Sequence, residues 1–176
     1  MSSRTDSYDG VTISLHWITA LLVVVLWGIG QTADSLPKGT FQSAYWSTHV
    51  VLGFVLVFVI LYRVGWRVTS GRGLPRVGPL PLHIVAKATH YALYLGLAIV
   101  LVLGVANAFV RGYHIYDLFQ LPQLGDKDLR RPITLWHGRA ANVVLILAGL
   151  HALAALGHHY VLRDGVLRRM MPGRAV

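Results

Sequence analysis

The chain has 176 residues, with sixteen Lys and Arg against seven acidic residues, all aspartate, and nine histidines. It is 55% hydrophobic and only 13% charged, with a mean hydropathy of +0.55, too few charges to cover a soluble helical surface, so lipid is expected to serve as part of its solvent. The lack of cysteine excludes disulfides, thiolate zinc sites, cysteine-held iron–sulfur clusters and covalent c-type haem. The only methionines, Met1, Met170 and Met171, stand at the chain ends, which leaves histidine to hold any metal inside a membrane.

Apolar runs of about 20 residues predict four spans, over residues 11–29, 46–64, 86–110 and 133–161. Polar, Gly- and Pro-containing stretches at 32–40, 69–81 and 112–132 separate them. The first run is long for a signal-peptide core and no A-x-A cleavage pattern follows it, so it is expected to remain as a span. The fold class is therefore an all-α integral membrane four-helix up-down bundle forming a single domain over residues 1–176. Ten Lys and Arg flank one side (Arg4, Arg63, Arg67, Arg72, Arg76, Lys87, Arg163, Arg168, Arg169 and Arg174). Six flank the other (Lys38, Arg111, Lys127, Arg130, Arg131 and Arg139). The positive-inside rule places the first side, with both termini, in the cytoplasm. The same asymmetry accounts for the pI of 10.4, and no nucleic-acid partner is expected.

Ionisable side chains inside a span are costly and mark function, so the depth of each histidine matters. His16 falls near the inner start of the first span and His49 near the outer start of the second. His137 falls near the outer start of the fourth, and His151 lies fourteen residues further in. Fourteen residues rise about 21 Å and turn about 1400°, some 40° short of four full turns, so His137 and His151 share one face at two depths. This pattern suits two haems stacked across a bilayer, each held by two histidines from different helices. By depth, His49 pairs with His137 and His16 with His151. Gly53, Ala141 and Gly149 stand near these positions, where a flat macrocycle would approach the backbone. His90 also lies in an inner half-span and on spacing alone could replace His16.

His158, on the face of His151, and His159 close the fourth span. A protonatable side chain there suits a quinone site, which exchanges protons with electrons; the other reading is a histidine among lipid head groups. His83 and His114 read as loop residues. Trp17, Trp46 and Trp136 fit an aromatic belt. The tail 162–171, with Arg163, Arg168 and Arg169 among Val166, Leu167, Met170 and Met171, reads as a short helix on the anionic inner surface. On the outer side, Arg130, Arg131 and Arg139 could neutralise haem propionates, steer a small anionic reductant, or pair with Asp126 and Asp128.

The ordered set Ser14-Leu15-His16-Trp17, Leu135-Trp136-His137, Ala141-Asn142, Gly149-Leu150-His151-Ala152, His158-His159-Tyr160 and Leu167-Arg168-Arg169-Met170-Met171-Pro172 resembles the bacterial cytochrome b-561 family over essentially the whole chain. That resemblance implies a four-span inner-membrane protein with two b-type haems, and carries the family's iron ligands onto His16, His49, His137 and His151. For one branch of the family it implies superoxide oxidase activity: superoxide is oxidised at the periplasmic side and ubiquinone reduced at the cytoplasmic side. The quinone region maps near His90 and His158, with Lys87 adjacent. Membrane lipid, quinone and superoxide are the partners expected, with no protein partner required. The competing reading is a haem-b anchor subunit that passes electrons from a periplasmic dehydrogenase or hydrogenase to quinone.

Overall fold

The computed structural model describes residues 7–71, 73–74 and 80–171. Among these, four long helices carry the architecture: α1 (Gly10–Thr32), α2 (Thr40–Thr69), α3 (Leu80–Arg111) and α4 (Arg130–Gly157). All four are long and apolar enough to cross a membrane. Of the inner-side cations counted above, Arg4, Arg72, Arg76 and Arg174 lie outside the described residues.

The helices outrun the apolar stretches that predict them. α2 begins at Thr40 and ends at Thr69, since no Pro interrupts its polar ends and the single Gly65 near its C-terminal end costs only about 1 kcal/mol in a helix. α3 begins at Leu80, since Pro81 in a first turn removes a backbone N–H that has no intrahelical partner there. His83 is accordingly helical rather than in a loop. At the start of α1, Asp9 Oδ1 accepts from the Thr12 backbone N–H at 2.8 Å and from Trp66 Nε1 at 3.0 Å, so one carboxylate caps α1 and ties it to the end of α2.

α1 packs along α2 and α3 along α4, while the two pairs touch each other far less. The shared core is a thin apolar layer of Leu26, Leu56, Ile60, Leu97 and Val144, backed by Leu22, Val23, Leu52, Val100 and Leu101. The outward faces are apolar too: Leu21, Phe58, Leu95, Ile146 and Leu153 are all exposed. A surface of that extent is stable only against lipid.

Outside the spans, β1 (His114–Ile115) pairs antiparallel with β2 (Phe119–Gln120), so His114 lies in a strand. Tyr116 and Asp117 turn this hairpin with φ of 50° and 57°. The turn is pegged to α2 by Ser47, whose Oγ accepts from the Tyr116 N–H at 3.0 Å and donates to the Ser43 carbonyl at 2.9 Å. The expected surface helix at the C-terminus is not formed. α4 runs into a π-helical turn at His158–Leu162, and only a four-residue 3₁₀ turn, Leu167–Met170, follows. That turn is strapped to α1, because the Trp17 indole donates to the Met170 carbonyl at 2.7 Å and the Tyr8 N–H to the Arg169 carbonyl at 3.1 Å.

The α3–α4 contact is tightest at Gly96, where an added Cβ would stand 2.8 Å from Val144 Cγ2. Gly96→Ala is expected to cost about 1–3 kcal/mol of stability by overpacking, and Val144→Ala in the same chain should recover much of it. Thermal unfolding of the native protein and the two variants in detergent checks this.

Candidate functional site

The interior of the bundle is built on a seven-residue step. Seven residues advance a helix about 10.5 Å and turn it about 700°, nearly two full circles, so positions seven apart lie one above the other. On α1 the inward positions are His16, Val23 and Gly30; on α2, His49, Leu56 and Arg63; on α3, His90, Leu97 and Gly104; on α4, His137, Val144 and His151. Neighbouring helices run in opposite directions, so these stripes align into three levels. The level nearer the β1–β2 hairpin, called outer after the expected orientation, holds His49 and His137 with Gly30 and Gly104. The middle level is the apolar layer of Val23, Leu56, Leu97 and Val144. The inner level holds His16, His90, His151 and Arg63.

At the outer level the His49 and His137 rings stand nearly perpendicular, with centroids 6.1 Å apart. His137 Nδ1 lies 3.1 Å from the Val100 carbonyl. A carbonyl only accepts, so Nδ1 carries the proton and Nε2 keeps a free lone pair. His49 Nδ1 is buried, with Leu26 as its backbone hydrogen-bonding neighbour although it makes no well-aligned bond, an environment like that of His137 beside Val100. On the facing helices Gly104 gives the His137 ring room, since an added Cβ would stand 3.0 Å from Cε1, whereas at Gly30 one would make an ordinary 3.6 Å contact with His49 Cε1. Gly53 and Gly149, expected where a flat macrocycle approaches the backbone, have open space beside them, with nothing within 4 Å of a built Cβ. Gly30 and Gly104 are a separate pair, each fourteen residues from a histidine of the inner level, His16 and His90.

At the inner level His16 and His151 stand 6.2 Å apart, and His90 lies 5.2 Å from His151. Two metal–imidazole bonds of about 2 Å each, plus the half-widths of two rings, add to roughly 6 Å. Both the His49–His137 and the His16–His151 separations match that sum, and with neither Cys nor an interior Met the donor set fits an iron held between two imidazoles. Among the described residues no cluster of three or more His and acidic side chains is arranged to hold a bare metal ion. The site suits a metal that brings its own equatorial ligands.

The candidates outside the bundle interior separate into groups. Arg130 and Arg131 join Arg111, Thr134 and Leu135 around an outer cleft of ≈ 430 Å³. Arg130 also donates to the Val110 and Arg111 carbonyls at 3.3 and 3.4 Å, capping the C-terminus of α3. Arg111 donates to Thr134 Oγ1 at 2.8 Å. Arg139 does not line this cleft; its guanidinium lies over the Trp136 ring at 5.2 Å. On the inner side Lys87 is exposed, one turn of α3 before His90. His158 sits seven residues beyond His151 and is held by Asp164, with Nδ1 to Oδ2 at 2.5 Å. Asp164 carries no signal in the sequence, because it reaches His158 only through the π turn and the left-handed Arg163 (φ 53°).

A four-span membrane bundle with paired histidines at two depths is the architecture of a membrane b-type cytochrome. Residues 7–173 match the prokaryotic cytochrome b561 family, and the chain belongs to that family. It is a haem-binding, electron-transporting, multi-pass protein of the inner membrane. Among its relatives, a Yersinia pestis protein named probable superoxide oxidase CybB is 29% identical over 171 residues, covering 94% of this chain and 96% of the relative. Cytochrome b562 of Cereibacter sphaeroides is 30% identical over 182 residues (98% and 99%). Cytochrome b561 homolog 1 of Escherichia coli K12 is 32% identical over 186 residues (96% and 99%).

Burial alone would push the Asp164 carboxyl up, but the hydrogen bonds from His158 and from the Val166 N–H outweigh it and hold the group below its ordinary value. A lowered carboxyl stabilises the fold above the unfolded value of about 3.9 and loses that contribution as pH falls through the folded one. Melting curves of native protein and Asp164→Asn in detergent are therefore expected to differ near neutrality and to converge in acid.

Proposed function

We propose that this chain is a di-haem cytochrome b, one haem held by His49 and His137 and the other by His16 and His151, with the second pair at the cytoplasmic side together with both termini. It is one functional domain that oxidises superoxide at the outer side and reduces ubiquinone at the inner side. The observation that carries this reading is the pair of imidazole separations, 6.1 and 6.2 Å, at two depths of one bundle. When bound, haem b supplies one-electron carriage at each pair, at a potential set by axial ligands, burial and nearby charge.

The chain's own residues supply the rest. The Val100 carbonyl fixes the His137 tautomer with Nε2 free. Leu56, Leu97 and Val144 exclude water between the two levels. The outer cleft lined by Arg111, Arg130 and Arg131 attracts a small anion, and its on-rate falls as salt rises. Two superoxide anions each give up one electron and leave as dioxygen. One ubiquinone takes the two electrons and two protons to become ubiquinol. His158, oriented by Asp164, and His90, beside His151, are the groups placed to hand over protons at the inner side, with Lys87 near the quinone head. The name of the Yersinia relative supports superoxide as the donor.

Two measurements test the proposal. His137→Ala should lose one of two haems and halve the pyridine-haemochrome signal per chain, whereas an unchanged signal removes His137 from the ligand set. Stopped-flow mixing of the oxidised protein with superoxide should give fast reduction that added ubiquinone discharges. A haem-loaded protein that superoxide leaves oxidised would instead favour a protein donor, as for an anchor subunit.

A further inference from the structure

The outer and inner levels differ in one respect that the histidines do not explain. Where the outer level is completed by two glycines, the inner level contains a permanent cation, Arg63. It stands fourteen residues after His49 on α2, with Leu56 midway, so the helix carries it on the face of His49 to the depth of His16 and His151. Arg63 is half-buried. One guanidinium nitrogen lies 3.2 Å from His16 Nδ1, and its carbon lies 5.5 Å from the centre of the Tyr94 ring. Among the described residues no carboxylate is within ion-pair distance of it; the one ion pair there is His158–Asp164. Arg67, the next cation along α2, lies over the Tyr8 ring at 5.5 Å instead.

A guanidinium in a span without a counter-ion is costly, and its one side-chain hydrogen bond conflicts with the role of its partner. Arginine N–H groups only donate, so His16 must accept through Nδ1. An imidazole bound to metal through Nε2 carries its proton on Nδ1 and has nothing left with which to accept. Once His16 is a ligand, Arg63 loses its acceptor and needs another within a few ångströms. Haem b brings two propionate carboxylates with it. We infer that Arg63 is a carboxylate-binding residue, the counter-ion for a propionate of the group held between His16 and His151. This rests on the ligand reading above. It also gives the inner group a fixed positive charge that the glycine-completed outer level lacks.

The test uses purified haem-loaded protein and reads haem content and the midpoint potential of each haem by optical redox titration. A cation at the propionate edge favours the reduced, more negative state. Arg63→Gln is expected to lower one midpoint of the two, or to lose one haem, and Arg63→Lys to restore most of that change by returning a charge. The affected haem should be the one missing from His16→Ala and His151→Ala. Two haems with unshifted midpoints in Arg63→Gln would overturn the assignment, as would equal changes in Arg63→Gln and Arg63→Lys, since charge would then not be the cause. If His16→Ala and His151→Ala both keep two haems, the ligand reading fails and Arg63 falls with it. If those variants lose a haem but Arg63→Gln changes nothing, Arg63 alone is wrong.

Discussion

Polar side chains inside a bilayer must find partners within the protein, and the helix period decides where they can look. A step of seven residues returns nearly to the same face, so each helix of this bundle presents an outer, a middle and an inner position to a common axis. Four helices then give four side chains per level. The apolar middle layer around Leu56, Leu97 and Val144 is the buried cluster to which all four helices contribute. It keeps the two polar levels apart while allowing them to share α4, so the spacing between the levels is a property of backbone geometry rather than of any adjustable contact.

The two polar levels are built on different logic. The outer one is neutral and sparse, two imidazoles with glycine beside each ring, and the Val100 carbonyl fixes one tautomer. The inner one is crowded, with three imidazoles and a guanidinium around the same axis. The outer cations stand apart from this axis, at the rim, where Arg111 and Arg130 serve helix ends and side-chain hydrogen bonds as well as lining a cleft. The charge that sets orientation by counting Lys and Arg is thus divided among several structural duties.

Much of this was legible in the sequence, because spans and ligand depth depend on local period and hydropathy. The fourteen-residue interval from His137 to His151 is read directly from the chain, as are four apolar runs. Less visible was anything that depends on which helices face each other. Gly30 and Gly104 are unremarkable in an apolar run until α1 and α3 are set opposite His49 and His137. Arg63 counted only as a flanking charge, since its run ends just beyond it and nothing local says that α2 stays helical to Thr69. Asp164 meets His158 through a π turn and a left-handed residue, neither of which periodicity predicts. The tail carries an amphipathic pattern, but two of its backbone carbonyls, those of Arg169 and Met170, bond to Tyr8 and Trp17.

Those last two hydrogen bonds join the beginning of the described chain to its end, Tyr8 to Arg169 and Trp17 to Met170. His16 is the residue before Trp17 on α1, and His151 precedes the π turn of α4 that leads into the strapped turn. Removing the Trp17 indole would release the Met170 carbonyl, so the strap ties the helix that carries one half of the inner pair to the segment that follows the other half.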